Sequence, residues 1–386
     1  MAVIADVIII GAGVIGLSTA YNLAAKNPGL SIVLLEKEKF HGAGSTAQCT
    51  GGIRHQFTHP LNILLTQISY PFFQRFTADM DYPVYFRRRG YLFVTGESAK
   101  FASLLAMKAA LDRLEVPAEL VTPGDIAKRY PFLQTEDLTG GSYCRLDAYA
   151  DPYGVMEGYY RQCRRLGVKL LCNTEVDSLI IRNGHIEGVK ADGFEAWAPV
   201  VVNAAGPHLH LVARLAGLEL PAAPYRRQVH VCAPMQQLPR DIPLIVDLDT
   251  GFYMHMERNG ILLLGGTDRQ SSPGLDPVVD RSTLFAFTEA ATKRIPVLED
   301  AEITGIYAGI RSLTPDGLGI LGETALQGFY CLGGFGGNGF MHAPAVGLIA
   351  ASLILGTNPP VDPAPLSPQR FNAVRQGETV PVAIPH

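Results

Sequence analysis

Apolar residues open the chain as a block. Residues 3–10 read Val-Ile-Ala-Asp-Val-Ile-Ile-Ile, a β-branched run of the kind that forms a parallel strand covered on both faces. Helix-forming residues follow over 14–25 and are stopped by Asn27-Pro28-Gly29, after which 31–36 is a second apolar run. Strand, helix and strand in so short a span make a βαβ unit of mononucleotide-binding length. Residues 61–76 and 101–114 have amphipathic helical spacing, and 84–94 is strand-rich with a basic turn at Arg87-Arg88-Arg89, read as a solvated hairpin end.

The pattern changes after Asp151. A helix is expected to residue 166, then strands over 168–171, 176–181 and 185–189 with Asn183-Gly184 as a hairpin turn. Residues 200–206, Val-Val-Val-Asn-Ala-Ala-Gly, form another buried parallel strand, ending in small residues where a ligand can approach the backbone. The segments 225–233, 244–247, 252–257 and 261–264 are bounded by Pro and Gly and suit a separate antiparallel sheet, and a last helix is expected over 340–355. The fold class is therefore α/β plus antiparallel β. A discontinuous Rossmann-type domain (1–80, 147–220 and 305–386) is joined to a mainly antiparallel substrate domain (81–146 and 221–304).

Length and composition narrow the partners. The 386 residues suffice for about two domains, and 47% apolar with 18% charged residues describes a packed core, not a disordered chain. A net charge of -4 without a basic run makes nucleic acid an unexpected partner. The six cysteines lack any Cys-x-x-Cys pair, so they suggest neither a disulfide framework nor a zinc site; they read as buried thiols in a reducing, cytoplasmic setting. The opening run lacks a basic leader region, and no stretch reaches about 18 uninterrupted apolar residues, so stable membrane insertion is not expected.

Chemistry enters at Gly11-Ala12-Gly13-Val14-Ile15-Gly16, between the first strand and its helix. Gly11 allows the tight turn, Gly13 lets the backbone meet a pyrophosphate, and Gly16 permits close packing of helix on sheet. The amides and dipole of the helix N-terminus favour the phosphates. Glu36, twenty residues past Gly16, can accept hydrogen bonds from both ribose hydroxyls and would repel a 2′-phosphate, which favours FAD or NAD over NADP. A second cluster, from Gly42 through Gly44, Ser45 and Thr46 to Cys49, Gly51, Gly52 and Ile53, is dense in small and hydroxylated residues able to lie against a ligand. It reads equally as a mobile loop. His55 and His59 have metal-pair spacing, but no third ligand accompanies them and no metal is expected.

At this point the sequence resembles the D-amino-acid oxidase-like superfamily of FAD-dependent oxidoreductases. The likeness is to its glycine oxidase, sarcosine oxidase β-subunit and L-proline dehydrogenase β-subunit branch. The matches continue through Ala150-Asp151-Pro152, Val202-Asn203-Ala204-Ala205-Gly206-Pro207, Thr250-Gly251-Phe252-Tyr253, Gly309-Ile310-Arg311-Ser312-Leu313-Thr314-Pro315-Asp316-Gly317 and Gly337-Asn338-Gly339-Phe340-Met341-His342. The resemblance implies noncovalent FAD. Besides the first glycine motif with Glu36 and the second cluster, it implies contacts from Lys37, Val176, Ala205, Gly206, Gly309, Arg311, Gly336, Gly337, Asn338, Gly339, Phe340 and Met341. A helix N-terminus after Gly339 would stabilise negative charge on the reduced flavin.

The same resemblance implies oxidation of the C–N bond of a small carboxylated amine of sarcosine, glycine or proline type, by hydride transfer to flavin and hydrolysis of the imine. Oxygen or another carrier then takes the electrons. Arg311 matches the family's carboxylate-binding arginine, with Ser312 where proline is usual; its alternative is an ion pair beside Asp316. Tyr253 fits the tyrosine that binds the same carboxylate, with Phe252 leaving the register open by one. Arg54 and His55 resemble the Arg-His pair of monomeric sarcosine oxidases, in which the arginine helps bind carboxylate. Two other readings stay open: a flavin-dependent 2-hydroxy-acid dehydrogenase, and a flavin-binding β-subunit that needs partner chains.

Overall fold

The opening apolar run divides in two. In a computed structural model that describes residues 3–191, 193–266 and 271–375, Val3–Ile4 joins a four-stranded sheet beside Phe194–Trp197, and Val7–Ile10 enters a six-stranded one. Asp6 sits at the break, and its carboxylate accepts the Ser31 amide at 2.8 Å, fixing the second strand beside the first.

The six-stranded sheet runs Lys169–Leu171, Ile32–Leu35, Val7–Ile10, Val200–Asn203, Phe329–Gly333 and Ile320–Glu323, parallel except for the last pair. Every residue of Val7–Ile10 and Ile32–Leu35 is buried, which is why the sequence there is uniformly apolar and not alternating. The helix Val14–Lys26 covers one face and crosses the last helix, Gly339–Ile354, so closely that a Cβ on Gly347 would overlap Ser18. The last helix also packs on Pro60–Met80, and this double cover accounts for its nearly all-apolar sequence.

An eight-stranded sheet forms the second layer, in the order Ile303–Leu313, Ala223–Cys232, Leu262–Gly265, Tyr253–Met256, Leu244–Asp247, Tyr91–Thr95, Gly140–Cys144 and Ala118–Val121. It is antiparallel except between Leu244–Asp247 and Tyr91–Thr95.

Three expectations need correction. Residues 168–171 do not begin the meander: Lys169–Leu171 is the outer parallel strand beside Ile32–Leu35, reached through the helix Pro152–Arg165. Residues 84–94 are not a hairpin, because Phe86–Arg88 pairs with Ala148–Ala150 while Tyr91–Thr95 belongs to the large sheet. Gly90 makes the change of sheet at φ 82°, and Arg89 ends beside Asp241 at 3.1 Å. Finally, the return to the nucleotide domain expected at residue 305 falls inside a strand. Ile303–Leu313 still pairs along Ala223–Cys232, and the chain re-enters the six-stranded sheet at Ile320.

Candidate active site

The carboxyl ends of the parallel strands, at Ile10, Asn203 and Gly333, face an elongated cavity of about 860 Å³. This is the crevice where open α/β sheets bind nucleotides, and the volume lies in the range of cofactor pockets. Gly11 is at φ 102°, and a Cβ there would overlap the Ala204 carbonyl, so the turn admits only glycine. Gly16 has no room because the Gly11 carbonyl occupies the place of its side chain. Gly13 has its nearest neighbour, the Thr46 hydroxyl, at 3.6 Å, leaving the backbone beside Val14 and Ile15 open to the cavity.

Glu36 is 9% exposed; one carboxylate oxygen accepts the Ala12 amide at 2.8 Å and the other the Glu38 amide at 3.0 Å. A carboxylate has about four acceptor positions, so lone pairs remain for ribose hydroxyls. Lys37, Val176, Ala205 and Gly206 line the same end. From the second glycine cluster, Gly44, Ser45 and Thr46 line the cavity. The Ser45 hydroxyl is bonded to the Ile310 carbonyl, and that of Thr46 accepts the Val14 amide at 3.3 Å. This loop is thus tied to both layers. A cradle only glycine fits, an open helix N-terminus and a ribose carboxylate together suit the adenosine diphosphate half of a dinucleotide.

The far wall is the eight-stranded sheet, and strand register builds it. Phe93, Val246, Tyr253, Gly265, Val229 and Tyr307 are direct cross-strand partners in succession, one per strand, and so share one face. Two and four residues along the last two strands, the pairs Arg227–Gly309 and Tyr225–Arg311 lie on that face too. Phe252 points away into the core at 1% exposure, which settles the register: Tyr253 faces the cavity. A Cβ on Gly265 would overlap the Tyr253 ring, so the phenol lies across its neighbour's missing side chain. Burial raises the Tyr253 pKa against the opposing pull of Arg311 and Arg227, so the phenol is a donor at neutral pH.

Arg311 also lines the cavity, and its guanidinium packs 3.1 Å from where a Cβ on Gly337 would be. Asp316 is not its partner, being held by Arg370 at 2.8 Å. Ser312 continues the strand opposite Pro224, so the pairing is kept without the proline, and its buried hydroxyl has no hydrogen-bond partner among the described residues. Gly336, Gly337, Asn338, Gly339, Phe340 and Met341 line the cavity where the last helix begins, as expected, and so does Gly309 against Gln48.

Arg54 enters from the opposite side. Its guanidinium stacks 4.1 Å over Phe57 and 5.5 Å from Phe93, and Nη1 donates to the Gln56 carbonyl at 2.6 Å. Burial, more than any neighbour, lowers its pKa from the ordinary arginine value. His55 is corrected: it does not line the cavity but turns inward at 3% exposure, its ring 2.9 Å from Asp147. Alternation along the extended segment forces this, since Arg54 and His55 are adjacent. Gly51 and Ile53 also lie behind the wall. Gly51, at φ 73°, accepts the Ala150 amide at 2.9 Å, and Ile53 is fully buried. Gly52 does line the cavity, facing the Tyr91 hydroxyl.

Sequence reasoning missed Asp147. It is fully buried, accepts the His55 amide at 2.7 Å and Gln56 Nε2 at 2.9 Å, and so fixes the segment that carries Arg54. Cys144 brings its sulfur near these groups, but both Asp147 oxygens are taken, so the trio is a hydrogen-bond knot that needs no ion. Tyr91, Tyr307 and Arg227 were missed as well, all lining the cavity. Tyr307 stands two residues before Gly309, Arg227 is the cross-strand partner of Gly309 and Tyr91 faces Gly52, relations readable only once the strands are paired.

A nucleotide cradle at the ends of parallel strands, facing a sheet wall of arginine and tyrosine, defines a dinucleotide-dependent oxidoreductase of two layers. The chain belongs to the FAD dependent oxidoreductase family, which matches residues 6–353, and its cofactor is FAD. It is similar to L-proline dehydrogenase from P. horikoshii, with a TM-score of 0.89 and 28% identity over 97% of this chain and 99% of that one. Sarcosine oxidase subunit beta of Rhodobacter capsulatus is 27% identical over 90% of this chain and 84% of its own length. Rat mitochondrial dimethylglycine dehydrogenase is 29% identical over 95% of this chain, which spans 45% of that protein.

Proposed function

We propose that the chain oxidises the C–N bond of a small amino acid or N-alkyl amino acid of sarcosine, glycine or proline type. The observation that carries this reading is the joint presence of Arg311 and Tyr253 on one sheet face, across the cavity from the nucleotide loop. The likeness to L-proline dehydrogenase and to sarcosine oxidase subunit beta supports it. Bound FAD, held noncovalently, supplies the acceptor for the hydride leaving the carbon next to nitrogen.

The chain's own part is orientation. A guanidinium grips both carboxylate oxygens at once, and a protonated phenol beside it adds a third donor. Two anchors on rigid strands hold the substrate at one end and direct its reacting carbon, the effect that positioning contributes to rate. Among the described lining residues, the sheet end offers arginines and tyrosines but no carboxylate or imidazole, so it binds and orients and does not exchange protons near neutrality. The imine product hydrolyses in water.

Mixing the FAD-loaded chain with sarcosine, glycine or L-proline without oxygen should bleach the flavin, while lactate and glycolate should not. Arg311→Ala should stay yellow and lose on the order of 10²-fold in kcat/KM through lost orientation. Bleaching by the hydroxy acids alone would overturn the amine reading. Bleaching by none until a partner chain is added would place this chain as the flavin subunit of a larger enzyme, the arrangement that the sarcosine oxidase β-subunit likeness allows. Readmitting air or an artificial acceptor separates oxidase from dehydrogenase.

A further inference from the structure

One flank of the cavity is closed by a segment that belongs to no sheet. Ile303–Leu313 pairs with Ala223–Cys232 along its whole length on one side, but on the other side Leu262–Gly265 reaches only Val229–Cys232. Residues 271–280 lie along the remaining edge. Gly274 donates its amide to the Pro224 carbonyl at 2.8 Å, and three successive side chains of the strand hold the rest. Arg226 donates to the Val278 carbonyl at 3.0 Å and to the Asp280 carboxylate at 3.1 Å, Arg227 meets the Ser271 hydroxyl at 3.3 Å, and Gln228 donates to the Asp280 carbonyl at 3.1 Å.

The segment alternates as an extended chain does. Leu275, Pro277 and Val279 line the cavity, whereas Asp276 and Val278 do not, and Val278 is 59% exposed. Across from them the turn Gly206–His208 packs on both Ala223–Cys232 and Ile303–Leu313 and leads into the helix Leu209–Leu215. Leu211 and Leu215, one turn apart on that helix, line the cavity too. None of these five apolar residues packs into a hydrophobic core among the described residues. Apolar side chains that face a ligand cavity and that no core covers are covered by the ligand. The ties of residues 271–280 are polar and partly exposed, which makes them the stretch of this wall that opens at least cost.

We propose that residues 271–280 form a strap that closes over FAD and sets how fast the cofactor leaves, with Arg226 as its fastening. Leu275, Pro277 and Val279 lie against the bound cofactor, and the strap lets go of the strand edge when FAD departs. The proposal holds whichever substrate the flavin oxidises.

Two measurements on the full chain test it, and neither needs turnover. In the first, hydrogen exchange is compared with and without FAD. Removing FAD should speed exchange in residues 271–280 about tenfold or more, and far more than in Val229–Cys232, the half of the same strand that is paired on both sides. In the second, FAD-loaded protein is diluted and the released flavin is followed with time. Arg226→Met, which keeps the aliphatic stem and removes both bonds, and Leu275→Ala should each release FAD about tenfold or more faster than wild type. About 1 M salt should speed release from wild type more than from Arg226→Met, because the partly exposed Arg226–Asp280 pair is screened only where it exists. Equal exchange of the strap with and without FAD would overturn the proposal without any variant having to fold. So would a parallel rise in the strap and in Val229–Cys232, which would mean general loosening, and so would release within about twofold of wild type in both variants.

Discussion

Single residues divide by how far their reason lies along the chain. Gly11, Gly13, Gly16 and Glu36 were legible because the turn, the helix start and the second strand all fall within one βαβ unit. Arg311 and Tyr253 were legible through resemblance, and the structure removed the doubt over Phe252 by burying it. His55 was misassigned because a neighbour of a cavity residue on an extended segment faces the other way. Gly265 was invisible, since its role exists only where Leu262–Gly265 pairs with Tyr253–Met256. Gly265→Ala therefore places a methyl group where the Tyr253 ring lies and pushes the phenol off the carboxylate. Overpacking of this kind costs about 1–3 kcal/mol, and the same displacement should lower kcat/KM by about tenfold with flavin content unchanged. Unaltered kinetics in a fully loaded Gly265→Ala protein would remove Tyr253 from substrate binding.

At the scale of elements, the long periodic helices and the buried parallel strands were read closely, because their apolar spacing follows directly from double cover. Short strands in the large sheet were missed, Ala118–Val121 and Gly140–Cys144 among them, since runs of four or five residues, one with a charged residue inside and the other opening on two glycines, carry little pattern of their own. The helix Leu284–Arg294 was missed too, and it ends in an arginine only 1% exposed. Arg294 Nε meets Asp247 at 2.9 Å and Nη1 meets Asp137 at 2.8 Å, so one side chain ties this helix to the Leu244–Asp247 strand behind the cavity wall. Burial alone would raise the Asp137 pKa, but the bonds to Arg294 and Lys293 overcome it and hold it low. Arg294→Met should cost about 3–5 kcal/mol, largely because Asp247 is left as an uncompensated buried charge. Adding Asp247→Asn should recover part of that loss. Urea unfolding of the three proteins checks this, and a single-variant loss below about 1 kcal/mol would show that the pair does not hold the helix.

For the whole molecule, fold class and the alternation between two layers followed from the sequence. The points of crossing did not, because an eleven-residue strand such as Ile303–Leu313 gives no local sign of which sheet receives it. The layers meet near His342, in the last helix and fully buried, whose Nε2 lies 3.1 Å from the Thr66 hydroxyl, which in turn donates to the Arg54 carbonyl at 2.9 Å. Burial, reinforced by the Arg54 charge, lowers the imidazole from 6.5 to about 3. The folded protein thus keeps His342 neutral through a pH range in which the unfolded chain protonates it. Between those two values the unfolded state binds the extra proton, so stability rises with pH and is lost on acidification, by up to about 1.4 kcal/mol per unit. His342→Gln should flatten this dependence, so that the variant, less stable than wild type at about pH 7, loses less on going to about pH 4.5. Urea unfolding at successive pH values, on proteins with matched flavin content because bound FAD itself stabilises the fold, supplies the comparison. Parallel profiles for the two proteins would mean that acid acts on the junction through other groups.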